Sequence, residues 1–173
     1  MIRAYKGGNW ARHLAPRDLD YLVRRIEADD WYPMETFERM GLAILAEVRP
    51  DMDTVRAWGR MQVDVLAARH PTLVVVGDAM DTLMRFRVLR ASFFDYPALE
   101  VTDLSEGEAN LVVSYGMSPR AEEAASWQTV GFFERLLELA GATDVGASFT
   151  SKVWDGDLVT TARLLWRSPP RVG

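Results

Sequence analysis

Two histidines, His13 and His70, make up the whole imidazole complement of the chain, and cysteine is absent. Histidine is the side chain that serves most readily as acid, base or metal ligand near neutral pH. His13 stands beside Trp10 and Arg12, with no partner that the sequence names. His70 precedes Pro71 where a helical pattern stops, a position at which a cation favours the helix dipole. Without cysteine there is no thiolate nucleophile, no disulfide and no cysteine-ligated zinc. Two distant histidines are too few for a zinc site. Neither lies in a strongly apolar helical stripe, so an axial haem ligand is not evident either.

Carboxylates are plentiful, but each cluster has a structural use. Asp29 and Asp30 precede the Trp31-Tyr32-Pro33 turn and favour the next helix start. Glu122 and Glu123 fall in the first turn of a predicted helix, where negative charge is stabilising. Asp155 and Asp157 flank Gly156 in a predicted hairpin. No pair forms a general acid/base couple. "YKGGNW" lacks the glycine spacing and following Lys-Ser/Thr of a P-loop, and no G-x-S-x-G elbow appears. No catalytic residue, metal or cofactor is therefore assigned, and an enzymatic role is not expected.

What remains is a surplus of large rings, including six tryptophans, together with eight methionines. Trp31, Tyr32, Trp58, Phe93, Tyr96 and Trp127 lie near helix ends or apolar stripes. They are candidates for lining an apolar ligand pocket, against the plainer reading of ordinary core. Trp10, Trp154 and the "RFRVLR" arginines, Arg85, Arg87 and Arg90, are candidate contacts to a protein partner. The plainer reading of those arginines is the solvated face of a helix.

The elements that would hold these residues change period halfway along. Leu19, Leu22, Val23 and Ile26 make one apolar stripe after Pro16, which suits a first helical turn. Phe37, Met40, Gly41, Ile44, Leu45 and Val48 make a second, started by Pro33 and stopped by Pro50. Glu35 and Arg39 stand four apart and could pair on its exposed face. Asp51 would cap a third helix, with Val55, Trp58, Gln62, Val65 and Leu66 on one face. "TLVVV" reads as a short strand or the approach to a helix. Asp78 reads as the N-cap of a fourth helix, with Met80, Leu83, Met84 and Val88 inward.

Strands follow. "LEVTDL" and "ANLVVSY" flank the turn Ser105-Glu106-Gly107-Glu108. A long helix runs from Pro119 to Ala140 and ends on Gly141. A second hairpin alternates Val145, Ala147, Phe149, Ser151 and Val153 with its partner's Leu158, Thr160, Ala162, Leu164 and Trp166. Asp155-Gly156 fits a type I′ turn or a longer bulged loop with Gly156 at positive φ. The predicted fold is α+β: N-terminal helices, then a ββαββ unit making a four-stranded antiparallel sheet with a crossover helix. Residues 1–15 read as an N-terminal extension, 16–167 as a single domain and 168–173 as a flexible tail.

The net charge of −5 gives no footprint for nucleic acid and argues against adsorption to anionic lipid. No apolar run is long enough to span a membrane. A cytoplasmic location is expected, with a small apolar molecule, a protein or a second copy of the chain as partner.

Three stretches carry a resemblance. "DDWYPMETFERMG" and "LEVTDLSEGEANLVVSYG" resemble the helix start and first hairpin of a large family of uncharacterised myxobacterial paralogues. "GFFERLLELAGATDVGASFTSKVWDGDLVTTARLLW" is similar to the closing helix and hairpin of that family and of bacterial 4-vinyl-reductase-type small-molecule-binding domains. More remotely it resembles haem-nitric-oxide-binding sensor domains. The likeness spans roughly residues 17 to 167, and it implies the fold and a bacterial sensory or regulatory setting. Matched at Gly156-Asp157, the cysteines often found in the 4-vinyl-reductase-type hairpin are replaced by Lys152 and Thr160. The haem sensors' Y-x-S-x-R motif is not reproduced by "YGMSPR", whose Tyr115, Ser118 and Arg120 have the wrong spacing. No histidine follows residue 71. No metal or haem site carries over. The expectation is a non-catalytic sensory or regulatory domain binding a small apolar ligand, with a protein-binding adaptor as the alternative.

Overall fold

A computed structural model describes residues 7–27 and 30–168. Asp29 and the end of the predicted flexible tail, residues 169–173, lie outside them. The chain divides into two compact units, residues 1–51 and 52–173.

In the first unit a short 3-10 turn, Trp10–Arg12, leads to α1, Pro16–Val23, and α2, Met34–Val48. Pro16 opens α1 and Pro33 immediately precedes α2, as their fixed φ favours. The apolar stripe expected on α1 is not its buried side: Val23 and Ile26 are exposed and Asp18 is fully buried. An ion pair decides this. Asp18 Oδ2 accepts from Arg39 Nε at 2.6 Å and Oδ1 from Arg39 Nη2 at 2.8 Å. Thr36 Oγ1 donates to the same carboxylate at 3.0 Å. Arg39 thus turns to Asp18 and forms no ion pair with Glu35, and Phe37 is left exposed.

The second unit holds α3, Met52–Arg69, α4, Ala79–Leu89, β1, Leu99–Ser105, β2, Glu108–Val113, α5, Pro119–Leu139, β3, Thr143–Ser151, and β4, Thr160–Arg167. The sheet is antiparallel in the order β1-β2-β4-β3. Alternation places Leu99, Val101, Ala109, Leu111, Val113, Ala162, Leu164 and Trp166 on its buried face. The other face is exposed and mixed, with Leu165 beside Arg163, which is bound to Glu108 at 2.6 and 2.9 Å. α5 lies over the buried face, contributing Val130, Phe133, Leu136 and Leu137 to one continuous core. It closes at Gly141, where Ala142 N–H reaches back to the Leu137 carbonyl at 3.0 Å.

α3 packs on α5 with almost no clearance. A Cβ on Gly59 would sit 1.8 Å from the Gln128 carbonyl oxygen, and one on Gly131 would sit 2.0 Å from that of Arg56. The two backbones touch there because neither residue has a side chain. Charges bracket the contact: Arg56 grips the buried Glu134 with both arms, and Arg60 reaches Glu138 at 2.6 Å. The buried face of α3 is accordingly Val55, Gly59 and Val63; of the expected stripe Val55 is buried and Leu66 packs against the core, while Val65 is exposed.

Two open alternatives are resolved. "TLVVV" is the approach to α4 and not a strand; its Val75 N–H donates to the Thr82 hydroxyl at 2.9 Å, and that hydroxyl donates to the Asp78 carbonyl at 2.9 Å. The second hairpin takes the longer bulged loop: Val153–Asp155 form a 3-10 turn and Gly156 has φ +100°. Leu158 falls in that loop and is wholly exposed, so the β4 alternation starts at Thr160.

Candidate functional site

α4 begins as predicted. The Asp78 carboxylate accepts the Asp81 N–H at 2.8 Å, capping the helix. Its buried side is Ala79, Thr82, Leu83 and Phe86, which repeat at i, i+3, i+4 and i+7. Phe86 sets the rotation by packing edge-on against Phe133, at 4.8 Å between ring centroids. Met80, Met84 and Val88, expected inward, therefore face solvent with exposures of 38, 47 and 80%. Leu83 alone of that expected stripe is buried.

Beside α4 opens a cleft of about 320 Å³ lined by His70, Thr72, Leu73, Arg85, Val88 and Leu89. The His70–Leu73 turn follows α3 and is held by the Leu73 N–H on the His70 carbonyl at 2.9 Å. Arg85 Nη1 donates to the Thr72 carbonyl at 2.7 Å, while Nε and Nη2 hold Asp81. The Phe93 ring stands edge-on to His70, 6.4 Å away. Leucine and valine side chains wall this open cleft, with His70, Thr72 and Arg85 along its polar side.

The six aromatic pocket candidates do not meet in that cleft. Trp31 is largely exposed, and Tyr32 stacks edge-on to Tyr21 while its hydroxyl bonds to Glu27. Trp58 is half-buried on α3. Phe93 touches the cleft through His70. Tyr96 packs on Phe94 and donates its hydroxyl to the Tyr115 carbonyl at 3.1 Å. Trp127 joins Phe149 and Trp154 in a row, with centroid separations of 4.9 and 5.1 Å. Trp154, placed at the loop, is half-buried because its ring folds back onto this row.

Of the remaining partner candidates, Trp10 is half-buried in its 3-10 turn. Arg90 reaches Glu100 at 3.3 Å, and Arg87 contacts Met84 Sδ at 3.5 Å.

Sequence spacing missed the cleft because His70, Thr72 and Leu73 sit in a turn without periodicity. The one available signal was His70-Pro71 at a helix end. Glu122 lies in the first turn of α5 as expected, and its buried carboxylate also accepts the backbone N–H groups of Tyr115 and Met117 at 2.9 and 3.0 Å. This ties the end of β2 to the first turn of α5. Nearby, the Tyr115 phenol bonds to Thr129 at 2.6 Å, and burial pushes its pKa up to about 12.

No protein-family model matches the chain, and no curated protein matches it. Solved structures do, over most of its length. An H-NOX protein from S. oneidensis in the Fe(II) ligation state aligns with a TM-score of 0.64 at 14% identity, covering 94% of this chain and 86% of that one. An oxygen-binding H-NOX domain related to soluble guanylate cyclases, in its oxygen complex, aligns at 0.60 and 11%, covering 88 and 84%. The NMR structure of an H-NOX domain from Shewanella oneidensis in the Fe(II)CO state aligns at 0.59 and 15%, covering 92 and 86%. At these identities the likeness establishes the fold, and it agrees with the α+β architecture above.

The donor set does not fit a haem iron. His13 Nε2 lies 2.6 Å from Glu47 Oε1, which leaves Nδ1 as its one ring nitrogen for a metal. His70 lines an open surface cleft beside Phe93. The exposed Met80 and Met84 sit on the outer side of α4. Thr129 donates its own proton to the Ala125 carbonyl at 2.8 Å, so Tyr115 is the donor toward it. A phenol held protonated in this way is a poor iron ligand. Among the described residues no three His, Asp or Glu side chains converge as metal ligands.

Proposed function

We propose that this protein is a sensory or regulatory domain of the haem-nitric-oxide-binding fold that works without haem. Its ligand would be a small apolar molecule seated in the cleft between the His70–Leu73 turn and α4. The observation that carries the reading is the combination of a sensor-type fold along nearly the whole chain with a donor set unsuited to iron. The cleft supplies the replacement: apolar walls from Leu73, Val88 and Leu89, and His70 and Thr72 to fix a polar end. We read the role as non-catalytic.

The test is native mass spectrometry of freshly purified protein, repeated after denaturation, with an absorption spectrum of the same sample. A small-molecule mass excess that denaturation releases, without a haem Soret band, is the expected result. Thr72→Trp, which fills the cleft from an exposed position, should abolish the excess while leaving the melting temperature unchanged. A haem spectrum, or an excess that survives Thr72→Trp, would overturn the reading. A clean mass from the wild type would move weight to the second reading, a protein-binding adaptor, which the exposed apolar side of α4 favours.

A further inference from the structure

Glu47 stands in the last turn of α2, where a negative charge opposes the helix dipole and no basic residue of that turn offsets it. The offset comes from residues 9–13. Glu47 Oε2 accepts the Asn9 N–H at 2.9 Å, and Oε1 lies 2.6 Å from His13 Nε2. One carboxylate thus fastens both ends of the Trp10–Arg12 turn to α2. Within the turn, the His13 and Leu14 N–H groups both return to the Trp10 carbonyl at 3.0 Å. The segment ends on Leu14, which is buried, as are Ala43 and Leu45 of α2. Opening the segment would therefore uncover part of a small core.

This fastening contains one group whose charge changes near neutral pH. Histidine exchanges its proton at about pH 6.5. A protonated ring gives Glu47 a charge-assisted bond through Nε2, whereas a neutral ring offers one N–H and no charge. Both side chains are partly shielded, at 27 and 19% exposure, so water screens the pair incompletely. Few other charges interfere. Arg12, on the same turn, adds to the positive field at Glu47. α1, which packs against the turn, directs its buried Asp18 to Arg39. Arg49, the exposed C-cap residue of α2, makes no ion pair among the described residues. The Asn9 N–H, and after it His13, hold the Glu47 carboxyl below its ordinary value, so Glu47 stays ionised while His13 titrates.

We propose that His13 and Glu47 form a proton-operated latch, in which the charged imidazole locks residues 9–14 onto the end of α2 in mild acid and the neutral ring lets that segment open more often above neutrality. Because the protonated ring binds the better, the latch loosens as pH rises through the histidine range. Stronger acid, which protonates Glu47, opens it again. The latch lies wholly in the first unit and does not depend on the cleft being occupied.

The test is solvent-exchange NMR of the full chain at pH 5.5 and 7.5. Exchange is expressed as protection factors, which removes its intrinsic pH dependence. The His13 and Leu14 amides report the latch, and the Phe133 amide in the core reports global opening. In the wild type, protection of the two latch amides should fall at least threefold from the lower to the higher pH, while that of Phe133 holds. His13→Gln keeps a neutral donor, so it should show the wild type's looser value at both pH values. Glu47→Gln should also lose the pH dependence. His70→Gln, which removes the one other histidine, should retain it. Phe133 protection checks that each variant is folded. Equal protection of the wild-type latch amides at the two pH values would overturn the proposal. So would a fall that persists in His13→Gln, that vanishes in His70→Gln, or that Phe133 shares.

Discussion

At the scale of single residues, buried ions govern where side chains point more than hydrophobic count does. Asp18 shows this in the first unit. Its hydrogen bonds with Arg39, and secondarily with Thr36, hold its carboxyl at about 2, below the ordinary value of 3.8, although burial pulls the other way. A lowered folded pKa means that the carboxylate stabilises the fold fully above about pH 4, and that this stability is lost as pH falls towards 2. Asp18→Asn keeps the shape and removes the charge, leaving Arg39 facing an amide. It should cost about 3 kcal/mol at neutral pH. It should also flatten the acid limb of a thermal-melting titration between pH 4 and 2; an acid limb as steep as the wild type's would show that another carboxylate controls it. Sequence alone could not have found this pair. Aspartate in a helix's first turn is common, and its partner lies 21 residues on, in another helix.

At the scale of elements, alternation was the better guide and helical periodicity the poorer one. Both hairpins follow from period-two runs and turn glycines, because a sheet with one wet face must alternate; the pairing of β2 with β4 comes only from the structure. The helices were located, but their rotation was misjudged wherever apolar residues lie on more than one side. On α4 two rows compete, and the core takes the one containing Phe86. On α3 the deciding residue is Gly59, which has no side chain and so contributes nothing to an apolar count. Gly131→Ala tests that contact. Its methyl group would meet the Arg56 carbonyl, so either the helices separate or α5 bends. We expect a loss of about 3 kcal/mol in chemical denaturation. Gly41→Ala, in a helix and with nothing within 4 Å of its Cβ, should be neutral or slightly stabilising. Equal effects of the two changes would refute the close-approach argument. Register shifts interrupt both outer strands, between Thr102 and Ser105 on β1 and in two places on β3. Such irregularities blunt an edge against pairing with another sheet, so they weigh against the exposed edges as a route to a dimer.

For the whole molecule, the fold was legible and the candidate site was not. A likeness that sequence carried only in scattered stretches becomes an alignment over 94% of the chain once the backbone is compared. The cleft and the outer side of α4 escaped because each is made by what the core leaves over, and a linear pattern records what the core takes. The two compact units also differ in how much apolar core they hold. Among the described residues the buried apolar side chains of the first are Leu14, Ala43 and Leu45, whereas the second has one continuous cluster around Phe133, Leu111 and Leu164. Amide exchange at pH 2.5 should therefore show α1 and α2 losing protection while α5, β2 and β4 retain it. Uniform loss would mean that the units unfold as one.

The bare contact between Gly59 and Gly131 restricts how α5 can move. The residues one turn away on α3 are Val55 and Val63, and those on α5 are Trp127 and Arg135. Sliding either helix by a turn would drive a full side chain into a gap too small for one methyl group. A piston stroke along α5 is closed to this fold. Any message that α5 carries from the sheet to α3 must travel as a swivel about that crossing, with the paired carbonyls as its bearing.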